Sequence, residues 1–155
     1  MEAMGSAIKN FASQFEFLPT IQNEDELKKW PRAESFVLCG MGGSHLAAGL
    51  LKINNPSLDV YVHRDYGLPI FAEKRHESTM YIASSYSGNT EEVLDFAEKA
   101  RQKNFNVVAI ATGGELLDWA KKHSLPYVEL PNTGIQPRSA LGFSVLALAK
   151  FLESD

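Results

Sequence analysis

Hydroxyl groups crowd around a glycine in the stretch Ser84-Ser85-Tyr86-Ser87-Gly88-Asn89-Thr90, which follows a short apolar run and precedes a helical pattern. Ser85, Ser87 and Thr90 are donors that a phosphate dianion can use without a fixed cation, and Gly88 frees the backbone to curl around a ligand. The N–H groups at the start of the following helix add partial positive charge. Hydrogen bonds to a charged group contribute about 1.5 to 3 kcal/mol each, so several together hold a phosphate ester at micromolar to millimolar strength after ordering costs. A plain helix N-cap is the alternative, with Asn89 or Thr90 as cap and Glu91 and Glu92 complementing the dipole. That alternative accounts for Asn89, Glu91 and Glu92 but leaves Ser85 and Ser87 unexplained.

A second loop, Gly40-Met41-Gly42-Gly43-Ser44, also leads from an apolar run straight into a helix and also favours an anion. It is not a dinucleotide fingerprint, because His45 stands where a third glycine belongs and no carboxylate closes the second strand. A Walker loop is excluded, since the chain has no Gly-Lys-Ser/Thr triplet. His45 either enters the site as an acid or base or faces solvent from the helix. The other histidines, His63, His76 and His123, form no metal-ligand spacing with one another or with Cys39. No metal and no cofactor is expected.

Both loops need a frame. Ser35 to Cys39, Leu58 to Val62, Met80 to Ser84, Val107 to Ala111 and Tyr127 to Leu130 are short and mostly rich in β-branched or aromatic residues, as strands are. Helix-length patterns lie between them at Ser44 to Ile53, Thr90 to Lys103 and Glu115 to His123, while Tyr66 to Glu77, with Gly67 and Pro69, reads as a loop. Strands separated by helices imply right-handed crossovers and hence an α/β fold: a three-layer, doubly wound, five-stranded parallel sheet. Such a sheet places its ligand beyond the carboxyl ends of the strands, at the switch in strand order. Residues 1–33 are expected as a helical segment packed on this domain. Met4, Ile8, Phe11 and Phe15 space an amphipathic helix that Pro19 stops, and a short helix follows from Glu24 to Trp30. The last helix, Ser139 to Leu152, is apolar on nearly all sides, so its outer face is expected to meet another domain or subunit.

A chain of 155 residues with 45% hydrophobic content is the size of one domain, and residues 1–155 are read as one. The formal net charge of -4 and scattered basic residues argue against a nucleic-acid partner. Cys39, the sole cysteine, lies in the apolar run Phe36-Val37-Leu38 and reads as a small buried hydrophobe in a reducing compartment. No run approaches the ~18 apolar residues of a membrane span, and acidic Glu2 does not fit a signal peptide. The expected location is cytoplasmic, with no membrane partner.

Ser85-Tyr86-Ser87-Gly88-Asn89-Thr90 resembles the signature of sugar isomerase (SIS) domains, which bind phosphosugars through this loop and have a flavodoxin-like fold. The resemblance narrows when Gly40 to Ser44, His63-Arg64-Asp65-Tyr66-Gly67-Leu68-Pro69, Ser84 to Glu92 and Gln136-Pro137-Arg138-Ser139-Ala140-Leu141-Gly142 are taken in order. These look like successive landmarks of bifunctional phosphoglucose/phosphomannose isomerases, in their N-terminal domain. The resemblance implies that Ser85, Ser87 and Thr90 bind the phosphate, that Gly42, Gly43 and Ser44 line the sugar end, and that Arg138 stabilises the enediolate. Without the resemblance, Arg138 reads as a solvent-facing residue at a helix start. The implied substrate is a hexose 6-phosphate, and the implied partner is a second copy or a second SIS domain. In that family the glutamate that moves the proton, with a histidine and a lysine, belongs to a second domain without counterparts in this chain, which runs to Asp155. A small isomerase completed by homodimerisation and a non-catalytic sugar-phosphate sensor are the other readings.

Overall fold

The structure is a computed structural model describing residues 4–70 and 76–153, so residues 71–75 of the expected loop, with Glu2 and Asp155, lie outside it. Strands β1 (Ser35–Cys39), β2 (Val60–His63), β3 (Thr79–Ser84), β4 (Asn106–Ala111) and β5 (Tyr127–Glu129) form one sheet in the order β2-β1-β3-β4-β5. Every adjacent pair is parallel, as the alternation of strand and helix patterns requires. β1 and β3 are buried along their whole length because helices cover both faces, and this explains why they read as unbroken apolar runs. At the edge, β2 exposes Tyr61.

The described residues also form helices α1 (Met4–Lys9), α2 (Glu24–Leu27), α3 (Leu46–Asn54), α4 (Glu91–Gln102), α5 (Gly114–Lys122) and α6 (Leu141–Glu153). On one face α3 and α6 bury Ala47, Ala48, Phe143 and Phe151 against Phe36, Leu38, Ile82 and Ile110. The opposite face carries α4 and α5, whose Val93, Phe96, Leu116 and Leu117 pack on Val37, Tyr81 and Val107. No described helix is long and apolar enough to cross a membrane.

The N-terminal segment departs from the expected single helix. α1 stops at Lys9 and the chain continues as a 3-10 turn over Phe11–Glu16. A three-residue period does not extend the face set by a 3.6-residue helix. Ala7 and Gln14 are buried, while Ile8 and Phe15 are 68% and 51% exposed. α2 ends before Trp30, because Pro31 disfavours the helical conformation in the residue preceding it.

This segment changes the account of α6. Phe17 packs edge-to-face on Phe143, with ring centroids 5.7 Å apart, so the chain itself covers part of the face expected to meet a partner. A continuous exposed stripe lies instead on α3, where Leu46, Leu50 and Ile53 are 43%, 45% and 79% exposed. Further along, Gln22 forms an antiparallel bridge with Tyr127 and covers the outer edge of β5.

Candidate functional site

Strand order reverses at β1, whose neighbours are β2 and β3. The loops that follow β1 and β3 therefore flank the switch point, and they are the two singled out by residue type. They are joined directly. Ser44 is buried, its hydroxyl accepts the Tyr86 N–H at 3.2 Å, and a Cβ on Gly40 would stand 3.1 Å from the Ser84 carbonyl. Ser44 thus ties the loops together rather than presenting its hydroxyl at the surface.

Within the serine loop the hydroxyls divide. Ser85 is 2% exposed; its Oγ accepts the Gly88 N–H at 3.1 Å and shares a 2.8 Å hydrogen bond with Thr90 Oγ1. Ser87 is exposed and accepts the Asn89 N–H at 3.2 Å, and Thr90 is half-buried. Because either Ser85 or Thr90 can donate to the other, a Ser85 proton given to Thr90 leaves the Thr90 proton available to an anion. Thr90 is the N-cap of α4 by backbone, yet its side chain makes no cap bond to that helix. Asn89 does cap, but on the next helix: its Oδ1 accepts the Glu115 N–H at 3.0 Å. The helix-cap alternative therefore fails for Thr90 and moves Asn89 to α5.

The β4 loop buttresses this arrangement, through residues that composition did not single out. Thr112 donates from both N–H and hydroxyl to the Tyr86 carbonyl, at 3.0 and 2.7 Å, and Leu116 N–H donates to the Gly88 carbonyl at 2.9 Å. Gly88 has φ +75°, and a Cβ there would stand 1.9 Å from the Gly113 carbonyl oxygen.

Arg138 reaches the site by another route. It lies in the 3-10 turn Pro137–Ser139, which packs on the turn Gly42–His45. A Cβ on Gly43 would stand 2.9 Å from Arg138 Cα and 3.0 Å from the Pro137 carbonyl, so glycine permits the two turns to touch. Arg138 is exposed and has no ion-pair partner among the described residues. His45, left open by sequence, is half-buried, with Nδ1 buried and unpartnered among the described residues. His63 closes β2 and packs beside Phe96 at 5.8 Å.

The acidic groups of α4 are engaged by the β2 loop. Tyr66 donates its hydroxyl to Glu91 at 3.2 Å, a bond that raises the Tyr66 pKa, and Gly67 N–H donates to Asp95 at 2.6 Å. Burial opposes ionisation of Asp95, but Lys99 at 2.8 Å and the Gly67 N–H outweigh it and lower the pKa. Among the described residues, no group of three or more His, Cys, Asp or Glu side chains could hold a metal ion.

No family model matches the chain. It is 40% identical over 118 residues to the bifunctional phosphoglucose/phosphomannose isomerase of Caldicellulosiruptor bescii, covering 74% of this chain and 34% of that protein. The corresponding Aquifex aeolicus isomerase is 32% identical over 159 residues, covering 100% of this chain and 47% of that one. The chain belongs to the sugar isomerase (SIS) domain family. It spans between a third and a half of the length of these relatives. The SIS fold is shared with the Vibrio vulnificus NanR protein complexed with ManNAc-6P, at a TM-score of 0.62 and 16% identity, over 97% of this chain and 59% of NanR.

Proposed function

We propose that this SIS domain captures the phosphate end of a hexose 6-phosphate and is equivalent to the N-terminal half of an aldose–ketose isomerase. That enzyme would interconvert glucose 6-phosphate and mannose 6-phosphate with fructose 6-phosphate in the cytoplasm. The observation that carries the reading is the meeting of the serine loop, the Gly42–His45 turn and Arg138 at one switch point. Ser87, Thr90 and the first N–H groups of α4 take the phosphate, while Ser85 shapes the loop and, by donating a hydrogen bond to Thr90, turns the Thr90 hydroxyl toward the anion. Gly42 and Gly43 approach the sugar end, Ser44 holds that turn in place, and Arg138 stabilises the enediolate charge.

Isomerisation also needs a base within hydrogen-bond reach of the substrate carbon. Glu91 already receives the Tyr66 hydroxyl, and Glu91 and Glu92 both sit in the first turn of α4, where they complement the helix dipole. The base is therefore assigned to a partner. That partner is a second SIS domain that brings the missing groups, and the Leu46, Leu50 and Ile53 stripe of α3 is the surface that receives it, because the stripe starts where the Gly42–His45 turn ends.

Calorimetric titration with glucose 6-phosphate and fructose 6-phosphate tests the binding half. Ser87→Ala should lower affinity about tenfold, the loss of one charge-assisted hydrogen bond. A folded sample that binds neither sugar overturns the reading. The resemblance in fold to NanR with its ManNAc-6P favours a second reading, a sensor that binds without turnover. A coupled isomerase assay, with and without a fragment matching the remainder of the relatives, separates the two: turnover restored by the fragment supports the half-enzyme, and binding without turnover in either case supports the sensor.

A further inference from the structure

We propose that Gln14 is a positioning residue for Arg138, a role that rests on Arg138 meeting the sugar end of a bound hexose 6-phosphate. Gln14 lies in the N-terminal 3-10 turn, far in sequence from every loop of the site, and is only 3% exposed. A carboxamide is buried at a cost unless both its ends are satisfied. Here both are. Nε2 donates to the Ser139 carbonyl at 2.6 Å, and Oε1 accepts the Gly142 N–H at 2.9 Å.

These two backbone groups bracket Ala140 and Leu141, where the Pro137–Ser139 turn passes into α6. The side-chain amide acts there as a peptide group would in a sheet, receiving from one strand position and giving to the next. It also satisfies an N–H of the first turn of α6, which a local cap would ordinarily do. Gly142 leaves the space for it, since a Cβ at that position would stand 2.8 Å from Gln14 Cβ and 2.9 Å from Oε1.

On its other side the same turn touches the site. The backbone of Arg138 lies against Gly43, at 2.9 and 3.0 Å from where a side chain would begin. Within the turn itself, two backbone bonds hold the shape, Ser139 N–H to Gln136 at 2.8 Å and Ala140 N–H to Pro137 at 3.2 Å. They fix its curvature but not its distance from the body of the domain. Gln14 fixes that distance, so the placement of Arg138 over the Gly42–His45 turn depends on a side chain that never touches ligand.

The test compares two ligands in the full chain. Gln14→Met keeps the side chain's shape and removes both hydrogen bonds. By calorimetry it should weaken fructose 6-phosphate binding about tenfold, because Arg138 reads the sugar, while inorganic phosphate, which needs only the serine loop, stays within about twofold. In an Arg138→Ala background the same substitution should have no further effect. Equal weakening of both ligands, unchanged binding of both, or effects that multiply in the double variant would each overturn the role. Should Gln14→Met not fold, Gly142→Ala gives the same readout, since its methyl group displaces the amide. Failure of the unmodified chain to bind either ligand overturns the phosphosugar reading itself, and the role of Gln14 with it; normal binding by the unmodified chain makes any failure specific to Gln14.

Discussion

Gly88 decides the shape of the serine loop. Its φ of +75° is costly for any residue with a side chain, and the Gly113 carbonyl occupies the place a Cβ would take. Gly88→Ala should destabilise the fold by about 3 kcal/mol, combining left-handed strain with overpacking. Denaturant titration measures this, and a loss below about 1 kcal/mol would mean that the loop yields around the methyl group. Cys39, by contrast, does what its apolar neighbours implied: burial pushes its thiol up to about 12, so it stays protonated and inert at neutral pH. What was legible at this scale followed from type and local order. Ser87 and Thr90 announce themselves by a hydroxyl beside a glycine at a helix start. The hydroxyl of Ser44, the amide of Asn89 and above all Gln14 did not, because their partners lie 42, 26 and 125 positions away and no local pattern records them.

Among the elements, α4 and α5 are held to each other by a polar contact as well as by their shared apolar layer. Glu98 of α4 accepts from Arg101 at 2.7 Å, Trp119 of α5 at 2.8 Å and Gln102 at 3.0 Å. These hydrogen bonds, that of Arg101 foremost, hold its carboxyl down from the usual 4.5 to about 2. A pKa depressed in the folded state means that the unfolded chain takes up the proton first. The stabilisation is therefore complete above about pH 4.5 and is lost as pH falls toward 2. Its size is modest, because the Glu98 side chain is 35% exposed and screened by solvent. Glu98→Gln should lower the urea midpoint at neutral pH, and the gap from the unmodified chain should close on acidification, with Trp119 emission reporting the transition. A gap that is the same at both ends of the titration would remove Glu98 from the account. The five strands were visible in sequence because β-branched and aromatic runs are confined to them, and α4 and α5 because their apolar residues recur at helical spacing. The N-terminal segment was not, since its switch from α-helix to 3-10 turn at Asn10 moves burial from Ile8 and Phe15 to Ala7 and Gln14.

Considered as a whole molecule, the domain is closed on one side and open on another. The N-terminal segment covers the edge of β5 and part of α6, while the α3 stripe of Leu46, Leu50 and Ile53 remains in water beside the site. Gly49, on the same helix, has no neighbour within 4 Å of a Cβ position, so another helix can approach closely there. Sedimentation velocity should find a two-fold dimer, and Leu50→Asp should give a folded monomer with an unchanged circular dichroism spectrum. An unmodified chain that is monomeric at high micromolar concentration, or an undiminished dimer in Leu50→Asp, would put the partner elsewhere. The Gln14 clamp also has a consequence in time. Its two partners are made 125 and 128 positions after it, in the last part of the domain to leave a ribosome. Until then Phe15 and Phe17 have no α6 to lean on, and they remain accessible to any chaperone that attends nascent apolar segments. The stretch that precedes the sheet in the chain is thus among the last to be fixed, and Arg138 cannot be set before α6 exists.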